Sequence, residues 1–466
     1  MRALTALLTL VTCCGCVSSA LRPHLERSLA LADAVTDAEL SVAPVASASL
    51  SGPVSIRALL DLARRRNAGL KRAAFQALAA RAQANEAFAQ VALPRLSFQA
   101  AYFNRSNTPA TRSNFGGMDF RIATGQKTAF NLASRVQAPL FSVADHIYRF
   151  GSVRLQAKAA RLLTRRAWQQ LRAQVIGAAF EQLEFSARIE GVNALLRSLR
   201  ERERQFRSLR DNEKAIDNDV QRVLVEIANR EQDRTELENA LATRQVFLSG
   251  LLGLDPSDRY RLVWTRKVDE ATRAPSSQEA FDRALEHRAD LHSLELQRES
   301  NDELVRTEWA GYIPRLDLGA EYSFSDADQL LEDDFFSYTL SGSVDLLDFG
   351  RHARIARFEA QAGELANRGL ELERQIRFEV EVACRAVANE LSRLRQARIA
   401  ERASLENLRV QRSLYDEGHC TISELIAAEV ALQQARISGR SARFTYFRRL
   451  AELESVTGCE SAIFLD

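Results

Sequence analysis

The sequence predicts a mainly α-helical chain, internally duplicated, in which each copy carries one pair of membrane-type β-strands. Three observations carry that prediction. A strict two-residue alternation at Leu93–Arg105, LPRLSFQAAYFNR, returns at Ile313–Ser325 as IPRLDLGAEYSFS. The helical stretches around the two copies also align. The chain opens on an export-type segment, yet holds no later run of eighteen apolar residues.

From the beginning, residues 1–15 have Arg2, an apolar core from about Ala3 to Val11, and then small residues and cysteine. This is the layout of a bacterial signal peptide and is too short to span a bilayer. The Gly15–Cys16 junction fits a lipoprotein cut that leaves Cys16 as the lipid attachment site, although Cys13 stands where leucine is usual. An ordinary signal peptide with incidental cysteines is the other reading. One lipid assists anchoring, because stable attachment takes two signals. Residues 16–55 read as an N-terminal linker.

The first repeat covers 56–254, with strands at 93–104 and 128–141. An inter-repeat linker follows at 255–278. The second repeat covers 279–458, with strands at 313–325 and 335–347, and 459–466 form a C-terminal tail. Each copy reads as helix, strand, loop, strand, very long helix, tight turn, helix. The offset between copies falls from about 220 positions to about 205 after the first strand, so the first copy has the longer strand-to-strand loop.

In the first strand Leu96, Phe98, Ala100 and Tyr102 oppose Arg95, Ser97, Gln99 and Ala101; in its repeat Leu316, Leu318, Ala320 and Tyr322 oppose Arg315, Asp317, Gly319 and Glu321. Strands of about ten residues with one apolar and one polar face have the length and pattern of outer-membrane barrel strands. A soluble sheet with one solvated face alternates in the same way. The export signal and the long helices favour the barrel, whose lipid-facing residues are then Leu96, Phe98, Tyr102, Leu316, Leu318 and Tyr322. Four strands cannot close a barrel, so several chains must contribute.

The long helices show apolar or small residues every three or four positions, at Val220, Val223, Ile227, Leu237, Leu241 and Leu248, and at Leu425, Ala428, Leu432, Ala435, Ala442 and Tyr446. That is a coiled-coil-like seam. No proline occurs from about Val143 to Leu209, and a helix of that span reaches on the order of 100 Å.

The opening ALEHRADL, the strand starts LPRL and IPRL, the turns APLF and DLLDFGR, and the tips DNDVQR and YDEGHCTISELIAAEVALQQAR resemble, in this order and duplicated, the TolC family of outer membrane efflux proteins, several of which are lipoproteins. The matches run from about Ile56 to Gly458. The resemblance implies a trimeric 12-stranded β-barrel, four strands per chain, continued by a long α-helical barrel. It implies a homotrimer in outer membrane lipid that extends into the periplasm and meets a periplasmic adaptor protein and an inner-membrane transporter. The chain departs from the family at Ala68 and Ala289, where proline is usual, and at Glu213, which stands opposite Gly418 of the second tip.

By the same resemblance, Asp219 and Glu424 line the periplasmic aperture, and Asn212, Glu213, Lys214, Glu417, Gly418 and His419 form the adaptor-docking tips. Three copies of two carboxylates around a narrow opening would attract cations. Thr421–Glu424, TISE, is equally a capping box. Both roles are open to Glu424.

The 63 basic and 61 acidic residues give no excess for nucleic acid. The six histidines show no metal-ligand spacing, and Cys384, Cys420 and Cys459 no obvious pairing. No catalytic motif emerges, so no enzyme activity, cofactor or metal is expected. The expected function is a passive exit duct for small molecules in a tripartite efflux or secretion system. A type I protein secretion outlet and a lipid-tethered periplasmic scaffold without a barrel are the alternatives.

Overall fold

A computed structural model of the chain describes residues 52–107, 110–123, 128–139, 143–211, 217–258, 260–266, 268–269, 273–326, 334–344, 348–417, 419–460 and 462–464. In chain order the elements are β1 (Pro53–Val54), α1 (Ile56–Arg66), α2 (Ala68–Ala92), β2 (Arg95–Asn104), β3 (Ala110–Phe115), β4 (Met118–Ala123), β5 (Thr128–Pro139), α3 (Val143–Asp211), α4 (Asp217–Leu252), β6 (Arg261–Leu262), α5 (Ser277–His287), α6 (Ala289–Ala310), β7 (Arg315–Asp326), β8 (Asp334–Ser343), α7 (Phe349–Asp416) and α8 (Ile422–Thr457), with a short 3₁₀ turn at Ala462–Phe464. The chain divides into two compact units.

The first unit combines Gln76–Ala160 with Leu294–Arg368 and holds the strands of both repeats. Strands β2, β5, β7 and β8 form one antiparallel sheet in that order. Strands β2 and β7 start two residues later than their sequence patterns, for a local reason. Leu93 N–H still bonds back to Ala89 O, and Ile313 N–H to Ala310 O, so the preceding helical turns run up to Pro94 and Pro314. Proline has no N–H to offer and favours extended backbone before it, and pairing begins at Arg95 and Arg315. The expected strand ends at 140–141 and 345–347 lie outside the described residues.

The longer loop of the first copy contains a hairpin that alternation did not reveal. Strands β3 and β4 pair from Ala110↔Ala123 to Phe115↔Met118 around Gly116 and Gly117, at φ 63° and 87°. Positive φ at both central residues makes the turn whose twist suits a two-residue hairpin, and glycine adopts it at no steric cost.

The second unit, whose described residues fall within 52–75, 161–293 and 369–464, holds the main core. Val220, Val223, Ile227, Leu248, Leu425, Ala428, Leu432, Ala435, Ala442 and Tyr446 are buried as the seam requires. A second cluster joins Val192, Leu195, Leu196, Leu199 and Phe206 of α3 to Val220 of α4 and Ile422 of α8. The linker and the tail are also packed. Residues β1 and β6 pair in parallel, and Trp264 and Phe464 meet Phe180 edge-on at ring-centroid distances of 5.2 and 5.9 Å.

Both opening helices are broken, at Asn67 and Arg288, although alanine and not proline follows at 68 and 289. Asn67 leaves the helical region at ψ 118°, and its side-chain oxygen accepts the Leu70 N–H at 2.9 Å while its amide donates to Leu251 O. One side chain thereby caps the start of α2 and the end of α4. At Arg288 the buried guanidinium forks onto Asp290 at 3.0 and 2.7 Å and reaches Glu379 at 2.5 Å, with Arg166 3.4 Å from Asp290. Burial works against the Asp290 charge, but the Arg288 hydrogen bonds and the charges of Arg166 and Arg288 outweigh it and hold Asp290 below the usual carboxylate range. A depressed folded pKa contributes stability that is present above the unfolded value, about 3.9, and lost as pH falls through the folded one. Asp290→Asn is therefore expected to lower the urea midpoint clearly at pH 7 and much less at pH 2–3.

The last helix of each repeat ends on a left-handed glycine seated against that break. Gly253, at φ 64°, lies over Arg66, and Gly458, at φ 73°, lies over His287. A Cβ on Gly458 would stand 2.7 Å from His287 O and 2.9 Å from its carbonyl carbon. Gly458→Ala is expected to cost about 2 kcal/mol or more, from backbone strain and from a collision with main chain that cannot swing aside. Thermal unfolding of the purified variant checks it.

Candidate functional site

The register of the four-stranded sheet sorts its side chains by face. Direct partners lie on the same face, so Leu96↔Val136, Phe98↔Ser134, Ala100↔Leu132 and Tyr102↔Phe130 extend through Ser134↔Tyr322, Val136↔Ala320 and Ala138↔Leu318 to Leu318↔Leu340, Ala320↔Tyr338 and Tyr322↔Phe336. All four strands thus contribute to one apolar face, interrupted by Ser134. No protein covers it in the chain: Leu96 is 70% exposed, Phe98 65%, Tyr102 66%, Tyr338 77% and Leu340 67%. Leu316 and Tyr322, on the inner strand β7, are half-buried by their neighbours, and Leu318 is 40% exposed.

The opposite face carries Arg95, Ser97, Gln99, Arg135, Gln137, Arg315, Asp317, Glu321 and a row of serines and threonine on β8. Arg135 donates to Glu321 across the β5–β7 pair at 2.7 and 3.0 Å, and Ser325 Oγ donates to Asn131 Oδ1 at 2.6 Å. Among the described residues β2 and β8 each pair on one side only, which leaves both edges of the sheet open. An exposed edge is a row of unmatched donors and acceptors and a template for another chain.

The helix tips are the second group. Cys16, Asn212, Glu213, Lys214 and Gly418 lie outside the described residues. Asp219 falls in the first turn of α4 and Glu424 in the first turn of α8. Arg222 Nη1 bonds Ser423 Oγ, and Val220 and Ile422 share one buried cluster, so the two helix starts stand side by side. The capping box is complete: Glu424 Oε2 accepts from Thr421 N–H at 2.7 Å and from its hydroxyl at 2.8 Å, and Thr421 Oγ1 accepts the Glu424 N–H at 3.4 Å. The Thr421 amide and hydroxyl hold the Glu424 carboxyl below the usual range. Thr421→Ala is expected to cost about 1 kcal/mol and to loosen this tip, read as faster amide exchange at Ile422–Leu425. At the turn, Glu417 accepts from Ser413 Oγ at 3.2 Å, and the exposed His419 donates its N–H to Leu414 O at 2.8 Å.

Among the described residues no group of three or more His, Cys, Asp or Glu could hold a metal ion, and no helix is long and apolar enough to cross a membrane. Cys384, Cys420 and Cys459 are free thiols. The cross-strand pair Arg135–Glu321 escaped the sequence reading, because pairing partners follow only once β5 is known to lie beside β7.

Residues 280–459 match the model of the outer membrane efflux protein family. That match spans nearly all of the second repeat. Most of the chain shares its fold with solved outer-membrane proteins. The channel OprN matches with a TM-score of 0.71 at 17% identity, over 87% of this chain and 90% of its own. The outer membrane protein VceC from Vibrio cholerae matches at 0.69 and 16%, over 87% and 96%, and the CmeC outer membrane channel of Campylobacter jejuni at 0.69 and 14%, over 86% and 85%. No curated protein sequence matches the chain. The family match covers the second strand pair and the α7–α8 tip, and the structural matches also take in the first repeat.

Proposed function

We propose that three copies of this chain form an outer-membrane exit duct that conducts small molecules passively from a tripartite exporter. The observation that carries the reading is the four-stranded sheet with one uncovered apolar face and two open edges. In water such a sheet would expose a contiguous patch of large apolar side chains; in lipid that face is solvated. Closing the sheet edge to edge with two further copies satisfies the free strand backbones, which lipid demands. Leu96, Phe98, Tyr102, Leu316, Leu318 and Tyr322 then face hydrocarbon, and the face with Arg135 and Glu321 lines the lumen.

In the same reading Cys16 carries a lipid, the α3–α4 and α7–α8 turns dock a periplasmic adaptor that leads to an inner-membrane transporter, and Asp219 and Glu424 stand at the entrance. The complete capping box gives Glu424 a structural task besides any electrostatic one. Cross-linking in intact cells, followed by identification of the attached chains, tests the assembly. Copies of this chain, an adaptor and a transporter are the expected catch; recovering none of the three contradicts the duct.

A further inference from the structure

The duplicated strand start PRL places an arginine at the same position of each repeat. Arg95 opens β2, Arg315 opens β7, and the register puts both on the polar face that also carries Arg135 and Glu321. The two arginines line one cleft of about 650 Å3, together with Glu86, His146, Gln137 and Asp317. Glu86 accepts from Gln90 Nε2 at 3.3 Å. Guanidinium and carboxylate groups therefore share one small volume on the side that the duct reading makes the lumen. Its size is that of a site for a small organic molecule.

We propose that this cleft is a contact site for small amphoteric cargo, with a cargo carboxylate on the arginines and a cargo ammonium on Asp317. The proposal rests on the duct reading. A guanidinium fork matches a carboxylate in two parallel hydrogen bonds. A purely anionic cargo meets Asp317 and Glu86, and a purely cationic one meets Arg95 and Arg315, so each carries a like-charge penalty that an amphoteric molecule avoids. Three copies would set three such clefts at one level of the lumen.

Single-channel recording on the full mature protein in planar bilayers tests this, with 6-aminohexanoate, hexanoate and hexylamine as blockers. The expected result is half-block by 6-aminohexanoate at about tenfold lower concentration than by either single-charge probe. Arg95→Gln, Arg315→Gln and Asp317→Asn, each read separately, should bring the three probes together, whereas Gln99→Ala, on the same face but outside the cleft, should keep them apart. Equal block by all three probes in the unmodified protein, or discrimination that survives in the cleft variants, overturns the proposal. A protein that conducts without discriminating removes the cleft alone; one that never conducts removes the duct reading with it.

Discussion

Phe98→Arg is expected to remove the chain from the outer membrane fraction. Phe98 sits near the middle of β2, is 65% exposed, and shares its face with Leu96, Ala100 and Tyr102. An arginine on the lipid face near the bilayer midplane costs about 2–4 kcal/mol, and threefold assembly would present it three times around one barrel. Leu340→Arg, on the same face at the other edge strand, should behave alike. Ser97→Arg should not, because Ser97 lies on the polar face beside Arg135. Membrane fractionation with a protease-protection readout checks the set. A soluble scaffold would tolerate all three changes, since none of these side chains is buried in the chain.

Phe464→Ala is expected to lower stability by about 3–5 kcal/mol, the range for emptying an aromatic core position. Phe464 is fully buried, with only two residues of the sequence after it. Its ring lies 5.9 Å from Phe180 and 6.3 Å from Trp264, and the Arg172 guanidinium sits 5.8 Å above it. Arg172 is itself buried and bonds Glu454 at 2.6 Å, so losing the ring also uncovers a buried ion pair. Trp264→Ala should cost a similar amount, and the double variant less than the sum, because the two rings share one cavity. Urea midpoints of the four proteins give the coupling directly.

The repeat, the strand faces and the helical seam were legible because each is periodic: alternation by two fixed the apolar set, and spacings of three and four fixed Val220, Val223, Leu425 and Leu432. Context-dependent features were not legible. The β3–β4 hairpin shows only as Gly116–Gly117 and a short alternation of Met118, Phe120 and Ile122 with Asp119 and Arg121, because its other strand, Ala110–Phe115, does not alternate. The breaks at Asn67 and Arg288 rest on side-chain caps contributed by or directed to distant residues, Leu251 and Glu379. Trp264 and Phe464 fell in segments read as linker and tail, since a single aromatic residue has no period. At the tips, TISE announced its own capping box, and the adjacency of α4 and α8 came only with the fold.

The central claim is that the apolar face of the sheet meets lipid while the other face meets water. Single cysteines from Arg95 to Asn104, in a chain whose native cysteines are replaced, can be spin-labelled in the reconstituted full-length protein and probed with lipid-soluble oxygen and a water-soluble nickel chelate. The account predicts a period of two, with oxygen reaching positions 96, 98, 100 and 102 and nickel reaching 97, 99 and 101. Uniform access of the nickel chelate along β2, with no alternation, would contradict it.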